Sequence, residues 1–211
     1  MSKVELVWST PRGDELIAKM ARVSNPKNEN NTETAPRLIS YLIRNKHWSP
    51  FEMASMCVKI ETERDISAQI LRHRSFSFQE YSTRYAEVEG CPATPELRRQ
   101  DTKNRQNSFS DLDPDLVGAL SDKMAVQLGA SWNLYREMLG LGVAKETARR
   151  ILPLCTPTTL YMCGSVRSWV HYLELRTGIE TQLEHRRVAL AVKDIFKAEY
   201  PMTSGAIELL Q

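Results

Sequence analysis

Apolar and polar positions along the chain change period several times, and each change predicts an element. Val4, Glu5, Leu6, Val7 and Trp8 alternate weakly and predict a short first strand, broken at Thr10-Pro11-Arg12-Gly13. Asp14 then stands where it can cap a helix whose Leu16, Ile17, Met20 and Ala21 recur at helical spacing. After a polar loop at 25–32, Thr34 begins a second helix with Leu38, Ile39, Leu42 and Ile43 on one face. Pro50 sets an irregular connector at 47–52, and residues 53–62 alternate as a strand. Asp65 opens an amphipathic helix expected to end near Arg74. Residues 91–113, polar and interrupted by prolines, predict a mobile surface loop in preference to a binding lid; Arg98, Arg99, Lys103 and Arg105 form a basic cluster within it.

A long helix is expected over 115–139, its stripe of Leu116, Leu120, Met124, Leu128 and Leu139 assigned to the core, with Gly140 and Gly142 ending it. A short helix at 145–152 stops at Pro153, and the β-branched and aromatic run 158–163 predicts a strand. Helices follow at 166–176, 182–200 and 202–210. Helices dominate and strands are few. The predicted fold is a mixed α/β (α+β) class: one helix-rich domain spanning 1–211 around a small central sheet.

Composition narrows the function classes. With 211 residues and 42% hydrophobic residues, the chain can bury a core. Lys and Arg number 28 against 26 for Asp and Glu, so the net charge of +2 lacks the basic excess of a protein that coats nucleic acid. The four cysteines form no C-x-x-C pair, and no signal peptide or membrane-length apolar run is present, which points to a reduced, cytoplasmic protein. Cys155 lacks the neighbours that lower a thiol pKa and is expected to pack, and His73 and His185 lack further ligands at metal-binding spacing, so no metal is expected.

Residues 72–85 hold the candidate chemistry: three arginines, a histidine, a glutamate and three serines, beside four aromatic rings. Arginine presents five donors in a fixed plane, suited to phosphate and carboxylate. If the preceding helix runs on, Gln69, Arg72 and His73 share one face at i, i+3 and i+4, while Ser82, Arg84 and Glu80 share strand parity. This density predicts an anion-binding enzyme site. A second reading takes the segment as a single-stranded nucleic-acid binder, its arginines on phosphates and Phe76, Phe78 and Tyr81 stacked on bases. A third is a scaffold without turnover.

Arg72-His73-Arg74, Ser77, Ser82 and Arg84 fill every fixed position of RHR-x2-S-x4-S-x-R, and so the chain resembles the flavin-dependent thymidylate synthases. His47-x-Ser49-Pro50-Phe51-Glu52, Ala148-Arg149 with Leu152-Pro153, and Leu173 to Arg176 followed by Gln182 and Glu184 resemble further segments of that family. The resemblance implies a homotetramer that methylates dUMP with FAD, NADPH and 5,10-methylenetetrahydrofolate and releases tetrahydrofolate, with no attacking cysteine and no nucleic-acid or membrane partner. By position it implies FAD contacts at Ser49, Arg72, His73, Arg74, Glu80, Arg167 and His171. It implies dUMP contacts at Gln69, Arg72, Glu80, Ser82, Arg84, Arg149 and Arg176. Ser82, Arg84, Arg149 and Arg176 would carry the catalytic roles with His47, which would lie near flavin and folate. Two positions depart from the pattern: His171 and Glu174 each stand where the family usually has asparagine.

Overall fold

The computed structural model describes residues 2–208. Four antiparallel strands form its main sheet in the order β1 (Lys3–Ser9), β2 (Ser55–Glu63), β6 (Pro157–Ser165), β3 (Ser77–Glu80). The alternation seen in the sequence decides which face is covered. Met56, Val58 and Ile60 of β2 and Leu160 and Met162 of β6 point to one side and are fully buried. The register pairs Val58 with Met162 and Ile60 with Leu160, so one continuous apolar surface faces the helices.

Those helices are α1 (Gly13–Ala21), α2 (Ala35–Arg44), α3 (Arg64–Ile70), α6 (Val166–Arg176), α7 (Leu183–Glu199) and α8 (Pro201–Glu208). Ile17, Ile39, Ile66, Trp169, Val192 and Phe196 bring them to the same core. The opposite sheet face carries Lys59, Glu61 and the partly exposed Tyr161 and Trp8. A satellite cluster of Val88, Tyr135 and Ala148 joins α4 (Pro114–Gly140) to α5 (Lys145–Ala148). No described helix is long and apolar enough to cross a membrane. This helix-rich α+β arrangement around a small sheet is the predicted fold class.

Several local expectations fail for physical reasons. Asp14 does not cap its own helix, whose start is formed by Arg12 in the left-handed region (φ 53°). Its buried carboxylate instead accepts from Met202 N at 2.6 Å, and from Thr203 N at 3.2 Å and Thr203 Oγ1 at 2.6 Å, capping α8 across the fold. The helix after Asp65 ends at Ile70 and not near Arg74, because Phe76 must turn back to reach the core. The expected stripe of α4 is mostly not core: in its 27 residues only Leu128 and Tyr135 are buried. The segment 91–113 is not a free loop. It contains a two-stranded ladder, β4 (Arg99–Gln100) with β5 (Ser108–Phe109), and is tied to α7 through Arg98. The last expected helix is seen to Glu208; residues 209–210 of that expectation lie outside the described residues.

Candidate active site

The arginine-rich segment is positioned by its aromatic residues. Phe76 packs edge-on against Trp169 with ring centroids 4.6 Å apart and lies over Gly164 of β6, where a Cβ would come within 2.5 Å of its ring. Only glycine leaves room for the ring there. Ser168 Oγ donates to the Ser75 carbonyl at 3.2 Å, and His73 N to the Ile70 carbonyl at 3.1 Å, closing the turn against α6. With Phe76 buried and Phe78 packed on the core, Arg72 and Arg74 project outward. Among the described residues their guanidinium groups have no hydrogen-bond or carboxylate partner. Tyr81 turns its hydroxyl to the Glu87 carbonyl. Of the stacking platform that nucleic-acid binding would need, Phe76 is committed to the core and Phe78 and Tyr81 are half-buried, which leaves Tyr85, 77% exposed, as the open ring.

Behind the turn lies a buried polar cluster. Arg176 Nε donates to His73 Nε2 at 2.9 Å. Burial, reinforced by Arg176, lowers the His73 pKa to about 4, so the ring stays neutral and accepts. His185 is fully buried; burial, with Arg176 and His73, lowers its pKa to about 3. It lies 3.1 Å from the Tyr172 hydroxyl and 3.4 Å from Gln69 Oε1, while Gln69 Nε2 meets Gln182 Oε1 at 2.6 Å. Glu80 faces inward on β3 and accepts from Ser67 Oγ at 2.7 Å and Thr158 Oγ1 at 3.2 Å. Gln69, His73 and Arg176 thus converge between α3 and α6 around His185, while Glu80 is tied to the other side of the site through Ser67 of α3 and Thr158 of β6.

A second group gathers where α6 meets the 3₁₀ turn Ser49–Glu52. Arg167 pairs with Glu52 at 2.9 Å, and the rings of Trp48 and His171 meet edge-on at 4.9 Å. His171 and Glu174 approach to 3.6 Å, ion-pair range but beyond a hydrogen bond, with both side chains about half exposed. His47 borders the turn and meets Tyr41 edge-on.

The third group is Arg149, which donates to Thr83 Oγ1 at 2.9 Å, and Arg84, 3.6 Å from Glu146. Arg84 borders an open cleft of about 640 Å³ lined also by Tyr85, Lys145 and Glu146. The expected strand through Ser82 and Arg84 is not formed: β3 ends at Glu80. Tyr81 N makes a further ladder contact with Thr159 O, and the chain then turns, with Tyr85 and Ala86 N–H on the Ser82 carbonyl. Strand parity therefore does not align Ser82 and Arg84 with Glu80. Among the described residues, no hydrogen bond or ion pair joins Arg84 or Arg149 to Gln69 or Arg176.

Sequence reasoning missed Thr83, Ser67, Thr158 and Tyr172, which hold predicted residues in place. No local pattern marks them, since each acts across the fold. Arg98 was seen only as one of a basic cluster, yet it grips Glu184 with two bonds. Cys57 is held up to about 11 by burial and the neighbouring Cys163, and burial also raises the Cys155 thiol, so neither is activated as a nucleophile.

Two neutral imidazoles, His73 half-buried and His185 fully buried, behind arginines that have no partner among the described residues, on a sheet-and-helix scaffold, are the features of a protein that binds an anionic ligand. Its relatives place the chain in a family. A profile described as "Thymidylate synthase complementing protein" matches residues 5–202. The chain is 50% identical over 195 residues to a "Probable flavin-dependent thymidylate synthase" of Paramecium bursaria Chlorella virus 1, covering 92% of this chain and 90% of that one. It is 49% identical over 202 residues to a "Flavin-dependent thymidylate synthase" of Synechocystis, covering 94% and 90%. In structure it is similar to the UMP/dUMP methylase PolB of Streptomyces cacaoi bound with 5-Br dUMP, with TM-score 0.86, 27% identity and coverage of 99% and 95%. The chain belongs to the flavin-dependent thymidylate synthase family, and it is an enzyme of the methyltransferase type.

Proposed function

We propose that this enzyme reductively methylates dUMP to dTMP, taking the carbon from 5,10-methylenetetrahydrofolate and the reducing equivalents from NADPH through FAD, and releasing tetrahydrofolate. The observation that carries the reading is the turn at 71–76. It holds Arg72 and Arg74 outward, without hydrogen-bond or carboxylate partners among the described residues, while His73 between them is kept neutral and accepts from Arg176. Two outward forked cations flanking a neutral imidazole suit a planar group bearing phosphates. FAD has that chemistry, and Ser49, Arg72, His73, Arg74, Glu80, Arg167 and His171 are the residues we assign to it. Bound flavin would supply the hydride.

The side chains of this chain bind and orient. Arg84, Arg149 and Arg176 are assigned to neutralise the nucleotide phosphate and polarise a pyrimidine carbonyl, which makes the ring carbon more electrophilic. Gln69, Arg72, Glu80 and Ser82 complete the dUMP set, and His47 stands beside flavin and folate. Among the described residues no hydrogen bond or ion pair joins Arg84 or Arg149 to Gln69 or Arg176. This supports a site built between subunits, and we assign a homotetramer.

The test is dUMP-dependent oxidation of NADPH by the FAD-loaded, yellow protein with the folate present. The reading expects turnover that requires dUMP. Flavin binding with no dUMP-dependent oxidation would instead favour a scaffold, and a colourless protein that shifts single-stranded nucleic acid would favour the nucleic-acid reading.

A further inference from the structure

Arg98 lies on the segment between the arginine-rich turn and α4, outside the set of residues assigned to the nucleotide. Its side chain is nonetheless only 12% exposed. Nη1 and Nη2 donate to the two Glu184 oxygens at 2.6 and 2.9 Å, and Nε donates to Ser108 Oγ at 3.0 Å. This bidentate pair fastens the β4–β5 segment to the first turn of α7.

The pair is also the end of a hydrogen-bonded chain. Glu184 Oε2 accepts from Gln182 Nε2 at 3.0 Å, Gln182 Oε1 from Gln69 Nε2 at 2.6 Å, and Gln69 Oε1 faces His185 Nδ1 at 3.4 Å. His185 Nε2 lies 3.1 Å from the Tyr172 hydroxyl. A glutamine carboxamide can flip, a neutral imidazole has two tautomers, and a phenol can donate or accept. Every member from Gln182 to Tyr172 can thus run in either sense. A guanidinium donates only and a carboxylate accepts only, so the Arg98–Glu184 end alone has a fixed sense, and Glu184 passes it on.

From Glu184 the direction follows member by member. Gln182 must turn its NH₂ to the carboxylate, which leaves its oxygen for Gln69. Gln69 must then present NH₂ to Gln182 and oxygen to His185. His185 must carry its proton on Nδ1, and its bare Nε2 accepts the Tyr172 O–H. The second amide hydrogen of Gln69 and the second lone pair of its oxygen remain for a ligand. Burial by itself would raise the Glu184 carboxyl, but the hydrogen bonds from Arg98 and Gln182 outweigh it and hold the group below the ordinary carboxylate range, so the acceptor stays ionised.

We propose that Arg98 and Glu184 are positioning residues: through Gln182 they fix the orientation of the Gln69 carboxamide, and so the donor and acceptor that Gln69 offers to the nucleotide. The proposal rests on the assignment of Gln69 to dUMP.

The test compares dUMP affinity, kcat and thermal stability in the FAD-loaded full chain. Glu184→Gln can donate or accept, so it removes the fixed sense at little change in shape. We expect its dUMP Kd to rise about tenfold with kcat at saturating dUMP nearly unchanged. The charge swap Arg98→Glu with Glu184→Arg restores an ion pair but puts a donor where the acceptor stood. It is expected to recover thermal stability without recovering dUMP affinity, because Gln182 and Gln69 would both flip. A swap that restores stability and affinity together, or a Glu184→Gln Kd within about twofold of wild type, would overturn the positioning role. If either protein fails to fold, the other decides. A wild-type chain that binds FAD but not dUMP would overturn the functional reading itself, and this proposal with it.

Discussion

Arg149 is the residue whose assigned role is easiest to isolate. It is half-buried and has one side-chain hydrogen bond among the described residues, to Thr83 at 2.9 Å, so truncation should leave the fold intact. Arg149→Ala is predicted to weaken dUMP binding by about 1.5–3 kcal/mol, or roughly 10–150-fold, the range for a charge-assisted bond. Titration of the FAD-loaded protein checks this, and unchanged affinity would remove Arg149 from the site. His73 and His185 support a prediction about pH. Their folded pKa values, about 4 and about 3, lie below the ordinary 6.5. Between those limits the unfolded chain binds protons that the folded chain refuses. The stability contributed by keeping these rings neutral is therefore complete above about 6.5 and is lost as pH falls through the window. Urea midpoints should drop between pH 7 and pH 5, and the drop should shrink in a His185→Gln variant.

At the scale of elements, periodicity found what local sequence determines. α6 appears at Val166–Arg176 as expected, and the first strand, the second helix and the strand β6 fall within a few residues of their predicted spans. What was illegible depends on distant partners. Asp14 carries the sequence mark of a cap for the helix it begins, yet it caps α8 because Met202 and Thr203 are brought to it by the core. Phe76 ends α3 early by packing over Gly164, a glycine with no local signature. The same limit applies to the site: the motif spacing named Arg72, His73 and Arg176, but not that Arg176 holds His73 or that Arg98 holds Glu184. The cap gives a prediction at this scale. Asp14→Ala removes three hydrogen bonds to α8 and should cost about 1–2 kcal/mol or more. Hydrogen exchange should accelerate first in α8; uniform acceleration across the core would contradict a local capping role.

At the scale of the molecule, α4 is the unexplained mass of the monomer. Leu116, Leu120, Val126 and Leu134 remain exposed along it, and a core stripe that finds no core within the chain is what a subunit contact requires. Light scattering on the purified protein should give four copies of the 24.1 kDa chain. Charged substitutions at Leu116 and Leu120 should shift the mass downward and lower activity, because the Arg84–Arg149 group would lose the neighbour that completes its site. A monomer with full activity would refute this arrangement.

The central claim is a division of labour in which side chains place the nucleotide and folate while bound flavin supplies the hydride. Identification of the folate product formed with dTMP, from dUMP, 5,10-methylenetetrahydrofolate, NADPH and the FAD-loaded enzyme, tests it most directly. The account predicts tetrahydrofolate in step with dTMP, since the folate gives up only its carbon. Dihydrofolate appearing in step with dTMP would mean that the folate itself supplied the hydride, and would contradict it.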